Sequence, residues 1–313
     1  MLKRIHLLLF LLFCMGFAEA QSFEEPREKI PTLNGHKFLS TSYLKSSFIS
    51  TSLQADLGFG TTSELRIPGI DIGGYEILGF SGKLLFFDVD VQFQQRFTPW
   101  LALYFSVKMA GRVGTNVSTI LVDGVNTLSG GDIGWLIKIA QTEKFNLSGT
   151  VSLSNFNGSF VNVAEYFEEI INDEPYPSVT KVVPALIAGL GLRSAYAFSP
   201  SYGLQLNIDY GYGESFKRGL TKSFFMAGIL GEVDFLPEHN VPVGLGLGYS
   251  LSSAPEVVMK EGGTSDLFLG KISYTRSDDF ELGLQVTYYN VNLNSVEGKS
   301  YVTKFLLGLK FYF

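Results

Sequence analysis

Acid–base and nucleophilic chemistry rests on side chains with tuned protons, commonly a His held by a carboxylate or amide. The sequence has three His: His6 near the start, His36 in a polar leading stretch, and His239 in a turn. None falls in a stretch that reads as a strand. Asp88-Val89-Asp90 comes nearest to a paired-carboxylate motif, because alternation puts both acids on one face of a strand. A metal or catalytic centre would need further convergent ligands, and the sequence offers bases instead. The turn at Thr98-Pro99-Trp100 folds this stretch onto the next one. In one register Asp90 faces Lys108; in the neighbouring registers Asp88 faces Lys108 or Arg112. Every register sets an acid beside a base, a pair worth roughly 0.2–1 kcal/mol. An ion-pair network is expected here, with no catalytic residue, metal or cofactor.

The elements that carry these residues follow from composition and periodicity. Hydrophobic residues make up 46% of 313 and charged residues 17%, below the roughly 25% usual for soluble chains. Beyond the first twenty residues no apolar run approaches the ~18 residues of a spanning helix, so the apolar content is distributed among short segments. A net charge of −6 with no basic stripe argues against a nucleic-acid partner. Residues 1–20 have Lys3 and Arg4, an apolar centre and Ala18-Glu19-Ala20, the pattern of a cleaved signal peptide. The single cysteine, Cys14, lies inside it, so the mature chain is expected to hold neither disulfide nor thiol nucleophile.

Period two dominates after residue 48. Leu85, Phe87, Val89, Val91 and Phe93 alternate with Asp88, Asp90, Gln92, Gln94 and Arg96, and Leu101 to Met109 repeat the pattern. Similar stretches lie near 49–59, 133–139, 147–153, 186–192, 204–212, 224–235, 243–252, 266–275, 280–289 and 301–313. Twelve strands result, separated alternately by five short turns and six long loops (61–80, 114–131, 155–184, 213–221, 253–265 and 290–300). Aromatic residues end the apolar faces: Phe97, Trp100, Phe198, Tyr202 and Phe280 near the turns, and Phe59, Trp135, Tyr212, Tyr249 and Tyr288 near the loops. Two girdles of rings fit the two interfaces of a membrane. The expected fold is all-β: an up-and-down antiparallel transmembrane β-barrel, with short periplasmic turns and long extracellular loops.

With these features the chain resembles bacterial outer-membrane β-barrel proteins of the twelve-stranded class. The closing FLLGLKFYF, with Phe305, Leu307, Leu309, Phe311 and Phe313 on one face, looks like the insertion signal of that class. The resemblance covers about residues 46–313 and implies outer-membrane lipid and lipopolysaccharide, the barrel-assembly machinery and periplasmic chaperones as partners. It identifies no functional subfamily.

Residues 21–45 read as a periplasmic tail or, alternatively, as a plug entering the lumen. In the longest loop, Phe167, Glu168, Glu169 and Ile170 lie in an amphipathic stretch that could constrict the lumen, cover its mouth or point outward. Further inward-facing polar candidates are Lys138, Arg193, Asp209, Glu232, Lys271, Glu281, Gln285, Lys304 and Lys310. Gly189, Gly191, Gly244, Gly246 and Gly248 share that face, where missing side chains make room for another backbone or a ligand. Their Gly-x-Gly spacing lacks the strand–turn–helix context of a dinucleotide site. The function expected is passage of small polar solutes through a mixed-charge lumen. The alternatives are a structural or surface-interaction barrel with a filled lumen, and an outer-membrane hydrolase using acids such as Asp123, Asp132, Glu165 or Asp266.

Overall fold

The structure is a computed structural model that describes residues 30–67, 70–72, 75–77, 80–113, 124–161, 166, 169–172, 176–178, 180–214, 221–253, 264–291 and 300–313. Residues 1–20, read as a signal peptide, residues 21–29 of the leading stretch, and Asp123, Glu165, Phe167 and Glu168 lie outside the described residues. Twelve strands form one closed antiparallel barrel. They are β1 Ser52–Thr62, β2 Leu85–Thr98, β3 Leu101–Val113, β4 Gly124–Gln141, β5 Phe145–Val161 and β6 Thr180–Ala197. The second half comprises β7 Tyr202–Glu214, β8 Thr221–Asp234, β9 Val243–Ser252, β10 Ser265–Tyr274, β11 Phe280–Val291 and β12 Ser300–Tyr312. Each strand pairs with its sequence neighbour, and β12 closes on β1 with Phe305 opposite Phe59 and Phe311 opposite Leu53. The Phe313 amide donates to Thr51 O at 3.1 Å, so pairing continues to the last residue.

Closure follows from the outward side chains. Leu57 is 54% exposed and Phe59 62%, while their neighbours Asp56 and Gln54 are 4% and 6% exposed. Such an inside-out pattern suits hydrocarbon outside the sheet, where an unpaired edge would cost several kcal/mol per backbone group. Across β2 and β3 the register sets Asp90 opposite Lys108, with a bulge between Arg96 and Thr98 just before the turn.

Strands β4, β5 and β6 are longer than periodicity indicates, at 18, 17 and 18 residues. Stretches 124–131, 155–161 and 180–184, expected as loop, are strand. Their outward positions there are Ser, Asn, Gly and Thr as often as apolar residues, so they carry no period-two signal although the backbones pair in full. Loop 61–80 likewise contains a ribbon, with Leu65–Ile67 paired to Phe80–Gly82 and Ile70–Ile72 to Tyr75–Ile77. The long loop 155–184 is helical at Glu169–Ile171, where Ile170 and Ile171 are 46% and 80% exposed.

Candidate functional site: an occupied lumen

Residues 30–50 precede β1 and do not join the barrel wall. The Asn34-Gly35 turn, both residues at positive φ, folds Thr32–Leu33 onto His36–Lys37 as a small hairpin. The hairpin sits at the short-turn end: His36 Nδ1 lies 3.1 Å from Pro200 O, and Lys37 Nζ donates to Thr275 O and to Asp278. From there the chain rises to Tyr43–Lys45 and returns to enter β1. It has no regular structure, so its backbone polar groups need partners from the surrounding wall.

The wall supplies them as amides and carboxylates. Gln205 Nε2 donates to Leu39 O at 2.8 Å, Asn207 Nδ2 to Lys45 O at 3.0 Å, and Asn146 Nδ2 to Ser47 O at 2.7 Å. Gln94 Nε2 donates to Phe48 O at 2.8 Å, Gln54 Nε2 to Thr41 O at 3.3 Å, and Ser148 Oγ to Ser47 O at 2.6 Å. In the opposite sense Glu232 accepts from Leu39 N, Glu281 from Ser40 N and Oγ, and Gln285 Oε1 from Ser42 N. Cationic ends reach other carbonyls: Lys271 Nζ to Ser40 O, Lys108 Nζ to Ser42 O and Arg193 Nη1 to Ser46 O. Lys45 reaches out of the segment to Asp132 on β4 at 2.5 Å. Leu39 packs beside Gly244 and Gly246 of β9, and Lys310 and Tyr312 of β12 border the small void beside Phe38 and Phe48. Eleven of the twelve strands therefore touch this segment, and β12 borders the void beside it. Only the barrel interior offers that position.

Shape and charge are matched as well. A side chain at Gly203 would collide with the His36 ring, and one at Gly228 would meet Leu44. Leu44 packs into an apolar seat of Leu230, Leu267, Leu269, Tyr289 and Val302, all facing inward. The lumen is thus less uniformly polar than the sequence reading expects. His36 Nε2 also lies 3.4 Å from Glu232 Oε2, with both side chains fully buried. Both ring nitrogens face acceptors, Pro200 O and Glu232 Oε2. The cluster has no access for a substrate and serves as an anchor.

The sequence-predicted residues fall in several settings. Glu232, Lys271, Glu281, Gln285, Gln94, Arg193 and Lys108 bind the leading segment, and Lys310 borders it. Asp88 pairs with Lys304 at 2.6 Å and Asp90 with Lys108 at 3.3 Å, forming ion pairs between strands toward the long-loop end. Asp209 contacts the empty position of Gly191, a close approach within the wall. Lys138 lies at the short-turn rim, bonded to Gln141. Gln92, Arg96 and Arg112 keep the inward parity of β2 and β3, facing Ser106, Ala102 and Phe86 respectively. Of the acids considered for a hydrolase, Asp132 is paired with Lys45 and Ser154, and Asp266 accepts from Tyr249 Oη at 2.6 Å. Glu169 accepts from Ser178 N within its own loop. Among the described residues no group of three or more His, Cys, Asp or Glu could hold a metal ion.

The leading segment was the element hardest to see in sequence. Its signals were the Asn-Gly turn, the apolar Phe38, Leu39, Leu44 and Phe48, and the inward excess of Gln and Asn on the strands.

No protein-family model matches the chain, and no curated protein matches it. Solved structures share the barrel architecture at low identity. The KdgM porin in complex with disordered oligogalacturonate is 10% identical over 82% of this chain and 99% of its own, with a TM-score of 0.41. The NanC porin is 8% identical over 83% of this chain and 100% of its own, at a TM-score of 0.45. The Pseudomonas putida toluene transporter TodX is 11% identical over 84% of this chain and 90% of its own, at 0.44.

Proposed function

We propose that this chain is an outer-membrane channel for small polar solutes, held shut by its own leading segment. The observation that carries this reading is the anchorage of the segment's backbone, which exchanges hydrogen bonds with side chains from nine of the twelve strands. A stopper fastened this way leaves behind, on departure, a lumen lined by amides and by both signs of charge. A narrow twelve-stranded barrel needs no larger obstruction. The apolar girdled exterior supports membrane insertion, and the hairpin at residues 32–37 lies at the short-turn mouth, the periplasmic side in this reading.

Planar-bilayer conductance tests it. The full mature chain is expected to be silent or to open rarely, and deletion of residues 31–46 to give a steady open level. Silence of the deleted but folded barrel would defeat the channel reading. It would favour a structural barrel with a permanently filled lumen, a reading supported by the apolar seat of Leu44.

A further inference from the structure

We propose that the outer face of β7–β10 holds one phospholipid, its acyl chain in a groove at Gly231 and Gly270 and its phosphate against Arg276. The inference rests on the membrane-inserted reading above and concerns a surface that the lumen does not use.

A row of outward positions runs across five strands: Leu204 opposite Gly231, Gly231 opposite Leu247, Leu247 opposite Gly270, and Gly270 opposite Val286. The rows on either side are filled, by Ile229 and Phe268 on one and Val233 and Ile272 on the other. Two notches therefore flank Leu247, which is 76% exposed. They open into a groove of about 660 Å³, bordered toward the short turns by Phe198 and Tyr202. Its size is that of a small-molecule pocket, roughly 300–1,000 Å³. Neither glycine is dictated by the backbone: among described residues only Gly35 and Gly82 are glycines with positive φ. Nor does packing demand them, since a Cβ at either would find its nearest neighbour 3.9 Å away. What the two glycines provide is space on a surface whose solvent is hydrocarbon.

The charge beneath the groove selects the occupant. Beyond Gly270 the outward side of β10 continues through Ile272 to Tyr274 at the strand's end, and exposed Arg276 follows two residues further on. Six residues span about 20 Å along a strand. At a tilt of about 40° that is roughly 15 Å across the membrane, close to half its ~30 Å hydrocarbon thickness. A lipid with its phosphate at Arg276 reaches the groove with its chain end. Lys144, whose carbonyl accepts from Ala197 N beside Phe198, adds a second cation to this rim. The rim acids are Glu143, Glu238, Asp278 and Asp279; of these Asp278 is taken by Lys37 at 2.5 Å.

Native mass spectrometry of the full mature chain tests this, in detergent micelles containing phosphatidylethanolamine and phosphatidylglycerol. The wild-type barrel is expected to keep one phospholipid after the others are stripped. Gly231→Leu with Gly270→Leu should keep none, and Arg276→Glu should lower retention about three-fold. Heat-modifiable electrophoretic mobility checks that each variant is folded. A folded barrel in which either variant retains lipid like the wild type overturns the proposal. So does a two-copy complex that the leucine variant dissociates, since a second chain would then be the occupant. Failure of the chain to insert into bilayers at all would instead defeat the membrane reading.

Discussion

The two halves of the lumen use the same residue types to different ends. Toward the short turns, the Lys271 and Glu281 side chains are 4% and 7% exposed, and His36 and Glu232 are sealed completely. Toward the long loops, Lys108 and Asp90 are 36% and 10% exposed, and Lys304 and Asp88 are 17% and 16% exposed. The leading segment makes the difference, sealing one half dry and leaving the other, the wet half, partly open to solvent. A pair in the dry half cannot lose a member cheaply, because the charge left behind has no water. A pair in the wet half is better screened, so losing a member costs less.

Variants can break this contrast in graded steps. Glu281→Ala should have the largest effect, about 3–5 kcal/mol, because it strands Lys271 and the Ser40 amide; a lowered urea midpoint and protease access to the leading segment would report it. Leu44→Ala should follow at about 3 kcal/mol by opening a cavity in its apolar seat. Hydrogen exchange at Leu44 and Lys45 should speed up while the strands of the barrel stay protected. Glu232→Ala removes the acceptor shared by Leu39 N, Gln205 and His36, at a cost of about 1–3 kcal/mol, with Glu232→Gln milder because its amide can donate to the imidazole. Asp90→Asn should shift stability by no more than ~1 kcal/mol. Its trace should be a change in cation preference of the channel with residues 31–46 deleted. Raised salt should weaken the wet half alone, so equal salt sensitivity of Glu281→Ala and Asp90→Asn would erase the distinction.

The wall of the barrel was largely legible beforehand. Alternation of Leu85 to Phe97 against Asp88 to Arg96 fixes which face meets which solvent, and the short turn at Pro99 limits the register to a few choices. Where the outward face is largely polar, as in 124–131 and 155–161, alternation falls silent and the strands extend unannounced. The ion pairs were half visible. Asp90 with Lys108 follows from a turn, whereas Asp88 with Lys304 requires β12 to come round to β1 and on to β2, a closure that no local pattern contains. His36 illustrates the limit: in sequence it is a lone imidazole in a polar stretch, and in the fold it stands against a carboxylate 196 positions away.

By itself the sequence determined a chain of alternating strands with an apolar face and a polar face, since side-chain parity is a property of each strand alone. Only the tertiary structure decided what the polar faces enclose. Twelve inward surfaces converge on one axis when the barrel closes, and their amides and carboxylates then find the unpaired backbone of residues 38–50. That match depends on all the strands at once, so no stretch of sequence could declare it.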